Sequence, residues 1–141
     1  GAIYLSPDQD DNRDLLDDIL HEIAHAVEEK HEDKIYGDGR LEREFLAKRK
    51  HLYYLLGDKE YDIDDYDTPE YNYNFDQHLY KNIGYDTLRG VSAELFYSPY
   101  AITALREYWA NGFENYLLGS RGKLKEISPV LYQKVDSFFD F

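Results

Sequence analysis

The stretch His21-Glu22-Ile23-Ala24-His25 carries the densest chemistry in this chain. On a helix, residues four apart lie on one face, so His21 and His25 can offer two imidazoles to one ion. Glu22, one step from His21, points beside that pair and can reach a water held by the ion. Such an H-E-x-x-H pentad supplies two zinc ligands and a general base. Leu15, Leu16, Ile19, Leu20, Ile23 and Val27 recur around it at helical spacing, which predicts an amphipathic helix from about Arg13 to Lys30. Asp10, Asp11 or Asn12 can cap its start. The bland alternative is two surface histidines on an ordinary helix, which leaves the glutamate between them without a role.

A catalytic zinc takes three protein ligands and keeps one position open. Two residues compete to be the third. His31 continues the pentad in the spacing H-E-x-x-H-x-x-G-x-x-H, the metzincin signature, where the glycine lets the chain turn back to the metal. Here that glycine position holds Glu28, in a charged stretch with good helix propensity. If the helix continues, His31 lies about 120° off the face of His25 and points away. Those metalloproteases also carry a methionine turn, and this chain contains no Met. The second candidate is Glu107, in Leu105-Arg106-Glu107-Tyr108-Trp109-Ala110-Asn111. Ala110, one helical turn later, is small enough to let this helix pack closely on the pentad helix. Glu94 and Glu114 are further carboxylates whose neighbours offer no support.

Glu107-Tyr108-Trp109-Ala110-Asn111-Gly112-Phe113 resembles the third-ligand helix of the anthrax lethal factor-like zinc proteases, gluzincins with an E-x-x-A pattern. The resemblance implies a zincin-like fold with one catalytic zinc held by His21, His25 and Glu107. It implies that Tyr100, seven residues before the ligand glutamate, donates a hydrogen bond to the substrate oxyanion. It also implies that a final helix from Pro129 to Phe141 closes the domain. Members of that family can carry a carboxylate four residues after the ligand glutamate, orienting a zinc histidine. Asn111 stands there in this chain, an acceptor that leaves the imidazole less basic. The match is concentrated at the pentad, at Glu107 with Ala110, and at Tyr100.

These residues need elements to hold them. Ala2 to Ser6 reads as an edge strand, the kind that pairs with an extended peptide. A second helix is predicted from about Arg40 to Leu56, ended by Gly57, with Arg43, Lys48, Arg49 and Lys50 on a solvated basic face. Asp58 to Asp76 is an acidic, Tyr-rich insertion. Tyr71 to Phe75 alternates like a short strand, and the rest reads as an ordered, solvated loop, with an acidic wall facing the substrate as the alternative. Asp62, Asp64, Asp65 and Asp67 lack the glycine and terminal glutamate of an EF-hand calcium loop. Ser92 to Tyr97 reads as a short helix, Ala101 to Leu118 as a long one, Ser120 to Ser128 as a basic loop, and Pro129 as the opening of a last helix.

The fold class expected is α+β, mostly helical. One domain spans residues 1–141, with a small edge sheet and a C-terminal helix for the third ligand. The chain opens Gly1-Ala2 without a methionine and so reads as a domain cut from a longer protein. A net charge of −13 argues against nucleic acid or an anionic membrane as partner and favours cationic substrates. No cysteine is present, so no disulfide or thiolate metal site enters.

The function expected is zinc-dependent peptide hydrolysis, with Glu22 as general base and Tyr100 as oxyanion donor. The substrate is a peptide, with basic residues near the scissile bond. The alternative is a zincin-like binding or structural module of a larger toxin or phage protein, with weak or no catalysis. The sequence does not give the localisation; the resemblance is compatible with a secreted effector or a phage-associated protein.

Overall fold

A computed structural model describes residues 9–139, with side chains from Asp14 onward. Among the described residues the chain is mostly helical and holds no strand. The strand expected at Ala2 to Ser6 lies outside them. No helix described is long and apolar enough to cross a membrane.

The pentad lies in α1 (Gln9–Lys30), which starts earlier than expected, so Asp10, Asp11 and Asn12 fall inside its first turn. A short α2 (Glu32–Tyr36) leads to α3 (Arg40–Leu56). Gly57 ends α3 at φ 60°, its N–H donating to the Tyr53 carbonyl at 3.1 Å. That left-handed conformation is open to glycine and strained for most side chains.

The acidic insertion folds into α4 (Ile63–Tyr66) and α5 (Tyr73–Gln77), followed by a π-helical turn at His78–Ile83. The strand expected at Tyr71 to Phe75 is therefore a helix start: the Asn72 side chain accepts the Phe75 N–H at 3.0 Å and caps α5. Asp62 and Asp65 form a capping box on α4, which gives two of the clustered aspartates a structural task.

Two further expectations shift. The short helix is α6 (Tyr85–Val91), placed before Ser92 and containing Gly90. The basic loop expected at Ser120 to Ser128 is α8 (Arg121–Ile127), whose Lys123 N–H donates to the Ser120 hydroxyl. Between them a 3₁₀ turn, Pro99–Ile102, precedes α7 (Leu105–Leu118), so the long helix expected from Ala101 begins four residues later. The last helix, α9 (Pro129–Asp136), opens on proline as expected.

α1 and α7 pack face to face. Ala24 and Ala110 are fully buried, and the Trp109 indole N–H donates to the Ala24 carbonyl at 2.9 Å. On the far side of α7, Gly112 leaves room for α9: a Cβ there would meet the Leu131 side chain at 2.5 Å. The core runs on through Phe45, Phe96 and Tyr108, whose rings meet at centroid distances of 5.3 to 6.3 Å. Each such side chain contributes about 1.5 to 3 kcal/mol through burial.

The basic face expected on α3 is partly a buried one. Lys48 and Arg49 are 8% and 1% exposed. Lys48 donates to the Ile127 carbonyl at 2.7 Å and to the Ser128 hydroxyl, closing α8. Burial pulls its ammonium down to about 8. Arg49 donates to the carbonyls of Ile102 and Asp65 at 3.0 and 3.1 Å, so one guanidinium joins α3, the insertion and the 3₁₀ turn. The insertion also reaches α7, where the Leu105 N–H donates to the Pro69 carbonyl at 2.8 Å. What reads as a solvated insertion is thus a brace behind the helix that carries Glu107.

Candidate metal centre

The fold brings His21, His25 and Glu107 together. His21 Nε2 lies 3.1 Å from His25 Nε2 and 3.3 Å from Glu107 Oε2, and His25 Nε2 lies 3.5 Å from Glu107 Oε1. They form the one group of three or more metal-ligating side chains among the described residues. The close approach has a local cause: the small residues Ala24 and Ala110 and the Trp109–Ala24 bond set the distance between α1 and α7.

The outer nitrogens say which lone pairs face inward. His21 Nδ1 donates to Glu114 Oε1 at 3.1 Å, which leaves Nε2 bare and turned toward Glu107. His25 Nδ1 is buried and lies 3.4 Å from Glu28 Oε1. A carboxylate behind each imidazole is the arrangement that fixes the tautomer of a metal-binding histidine. Burial raises the Glu114 carboxyl above its ordinary value, and the His21 imidazole opposes that rise.

Acceptor atoms crowded this closely repel one another unless a proton or a cation lies between them. The fit to zinc is testable on length: four ligands at about 2.0–2.1 Å in tetrahedral array stand roughly 3.3 Å apart. The two Nε2 atoms stand 3.1 Å apart, near that edge, and each faces a different Glu107 oxygen, at 3.3 Å (Oε2) and 3.5 Å (Oε1); with one atom taken from each residue, all three lie within 4.8 Å of one another. The donor set of two imidazoles and a carboxylate suits zinc, and the three residues could hold it with a side left open.

A cleft reaches two of the three, His21 and Glu107, and is lined further by Asp17 and Asp18 from α1, by Asn111 and Glu114 from α7, and by Tyr100. Tyr100 is exposed, and its ring meets Tyr85 edge-on at 5.2 Å. Tyr85 in turn approaches Asp76 of the insertion at 3.4 Å, and burial followed by the Asp76 charge pushes its phenol up to about 12. Glu22 is exposed on α1 and does not line this cleft.

Two site residues named from the sequence do not meet the histidine pair. Asn111 lines the cleft, but its amide donates to the Ser98 hydroxyl at 2.8 Å, and it is Glu114 that meets His21. Glu114 lies seven residues after Glu107, two helical turns along the same face, a spacing the sequence displays without flagging. His31 sits just beyond the end of α1, its ring against Phe138 at 5.2 Å, apart from the other two histidines.

Glu28 also differs from expectation. It belongs to the charged stretch at the end of α1, yet it is 5% exposed. It accepts from Arg106 Nε at 2.9 Å and from the Tyr36 hydroxyl. Its place one turn after His25 was the available signal.

Compared with protein-family models, with curated proteins and with solved structures, the chain matches none.

Proposed function

We propose that this chain is a zinc-dependent peptide hydrolase of zincin-like type. The observation that supports it is the convergence of His21, His25 and Glu107 at ligand spacing, with a carboxylate behind each imidazole. His21, His25 and Glu107 would hold the ion, which supplies Lewis acidity and brings the pKa of a water toward about 7. Glu22 accepts the proton of the attacking water and returns it to the leaving amine. The Tyr100 hydroxyl, at the rim of the cleft, donates to the carbonyl oxygen as charge gathers on it. Glu114 holds His21 so that Nε2 stays available. Peptide substrate enters over Tyr100, between the α1 and α7 walls.

One observation favours a second reading. Glu22 does not line the cleft beside His21, so the site could bind metal and a partner segment without hydrolysing it. In that reading the domain is a binding module built on a zincin-like frame.

Zinc stoichiometry by elemental analysis, with peptide-library cleavage in the presence and absence of chelator, separates these. One zinc per chain, lost in Glu107→Ala, with chelator-sensitive cleavage lost in Glu22→Gln, is the expected result. Zinc without cleavage selects the binding module. Absence of zinc from the refolded wild type under saturating metal sinks both.

A further inference from the structure

We infer that Glu28 is the positioning residue of His25: clamped by Arg106 and Tyr36, it accepts a hydrogen bond from Nδ1–H and so presents Nε2 to an ion shared with Glu107 and His21. The functional consequence rests on the metal-centre reading above, while the hydrogen-bond arrangement stands without it.

A carboxylate as buried as Glu28 needs donors. Arg106 binds Oε1 at 2.9 Å and the Tyr36 hydroxyl binds Oε2, which fixes the plane of the group. The phenol of Tyr36 is raised by burial and then by Glu28, and the Arg106 guanidinium is raised by Glu28, so both stay in their donor forms. Oε1 keeps a free lone pair, and the nearest unsatisfied donor site is His25 Nδ1 at 3.4 Å. That nitrogen is buried and has no hydrogen-bond partner at normal length. A shift of a few tenths of an ångström closes the bond.

With the proton on Nε2, a bare Nδ1 lone pair would face a carboxylate oxygen in a buried setting, an uncompensated repulsion. With the proton on Nδ1, the bare Nε2 faces His21 Nε2 at 3.1 Å and Glu107 Oε1 at 3.5 Å, a crowding that a shared cation relieves. An ordinary interhelical ion pair between Glu28 and Arg106 makes no demand on the His25 tautomer, so the two accounts part here. Arg106 and Glu107 are neighbours, so the first turn of α7 brings one ligand and also secures the support of another. Residue 28 is therefore the place where the end of α1 is read by α7.

The test uses the whole chain, ¹⁵N-labelled, with and without one equivalent of zinc. In the zinc-loaded wild type, ring proton–nitrogen correlation should show a downfield, slowly exchanging His25 Nδ1–H. Glu28→Leu, which keeps the bulk and removes the acceptor, should move that proton upfield and speed its exchange. A wild-type Nδ1–H that exchanges freely, or one unchanged in Glu28→Leu, overturns the proposal, and the wild-type measurement needs no variant to fold. Competition with a chromophoric zinc chelator gives the second readout, with Glu28→Leu expected to bind zinc roughly 10- to 100-fold more weakly. Equal zinc affinity in the two proteins overturns the positioning role. If the wild type takes up no zinc, the metal reading fails, and protection of Nδ1–H in the metal-free wild type, present or absent, still decides the hydrogen bond.

Discussion

Trp109 donates its indole N–H to the carbonyl of Ala24, and that single buried bond lies between the residues that would bind the ion. Ala24 is the neighbour of His25, and Trp109 follows Glu107 by two positions. Trp109→Phe keeps most of the packing and removes the donor, leaving a buried carbonyl short of a partner. A loss of about 1 to 3 kcal/mol is expected in urea denaturation. Zinc affinity should fall with it, because the two helices are no longer pinned at that distance. A variant as stable as the wild type would show that the indole bond does not set the helix spacing.

Arg49 should matter far more than a surface arginine. Its guanidinium holds the carbonyls of Ile102 and Asp65 and lies over the Phe75 ring at 4.5 Å. Arg49→Met retains the apolar stem and leaves two carbonyls unsatisfied, for a cost on the order of 3 kcal/mol. The 3₁₀ turn that carries Tyr100 should loosen as well, seen as faster amide exchange at Thr103, whose N–H donates to the Tyr100 carbonyl. An unchanged melting temperature would place Arg49 in solvent.

Tyr100→Phe tests the oxyanion role without touching the ligands. The expected result is a fall in kcat of roughly 100- to 1,000-fold, the size seen when one oxyanion donor is removed. Zinc content should not change. Full turnover in the variant would reduce Tyr100 to a rim contact with Tyr85.

Asp58 gives the insertion a pH-dependent anchor. Burial pushes its carboxyl up, but bonds from the Tyr66 hydroxyl at 2.6 Å, the Glu60 N–H at 2.9 Å and His78 Nε2 at 2.7 Å outweigh this and hold it below its ordinary value. A carboxyl depressed in the folded state stabilises above its unfolded value of about 4, and that contribution is lost as pH falls through the folded value. Asp58→Asn should therefore be less stable than the wild type at pH 7, with the gap closing below about pH 4. A gap of constant size from pH 7 to pH 3 would mean that ionisation of Asp58 adds nothing.

The elements that depend on local pattern were legible in the sequence. Gly57 and Pro129 mark helix boundaries because backbone conformation is dictated at those residues, and the histidine pair follows from helical periodicity. What could not be read depends on distant partners. Lys48 and Arg49 look like solvent-facing charges until the carbonyls of Ile127, Ile102 and Asp65 arrive beside them. Asn111 and Glu114 were exchanged for a similar reason. Which of two polar residues on α7 meets His21 depends on the rotation of that helix against α1, and periodicity alone does not fix it. Tyr71 to Phe75 alternates as a strand does, but the Asn72 side chain captures a backbone N–H three residues on and turns the segment into a helix.

The bond from Trp109 to Ala24 spans 85 positions of sequence. Closing a loop of that length carries an entropic cost. The two imidazoles share one helix, whereas the carboxylate joins them only when α1 and α7 meet, so the ligand set proposed above is complete no sooner than that loop closes. Metal capture in a refolding time course should coincide with the final cooperative phase, which would make zinc uptake a clock for completion of the whole molecule.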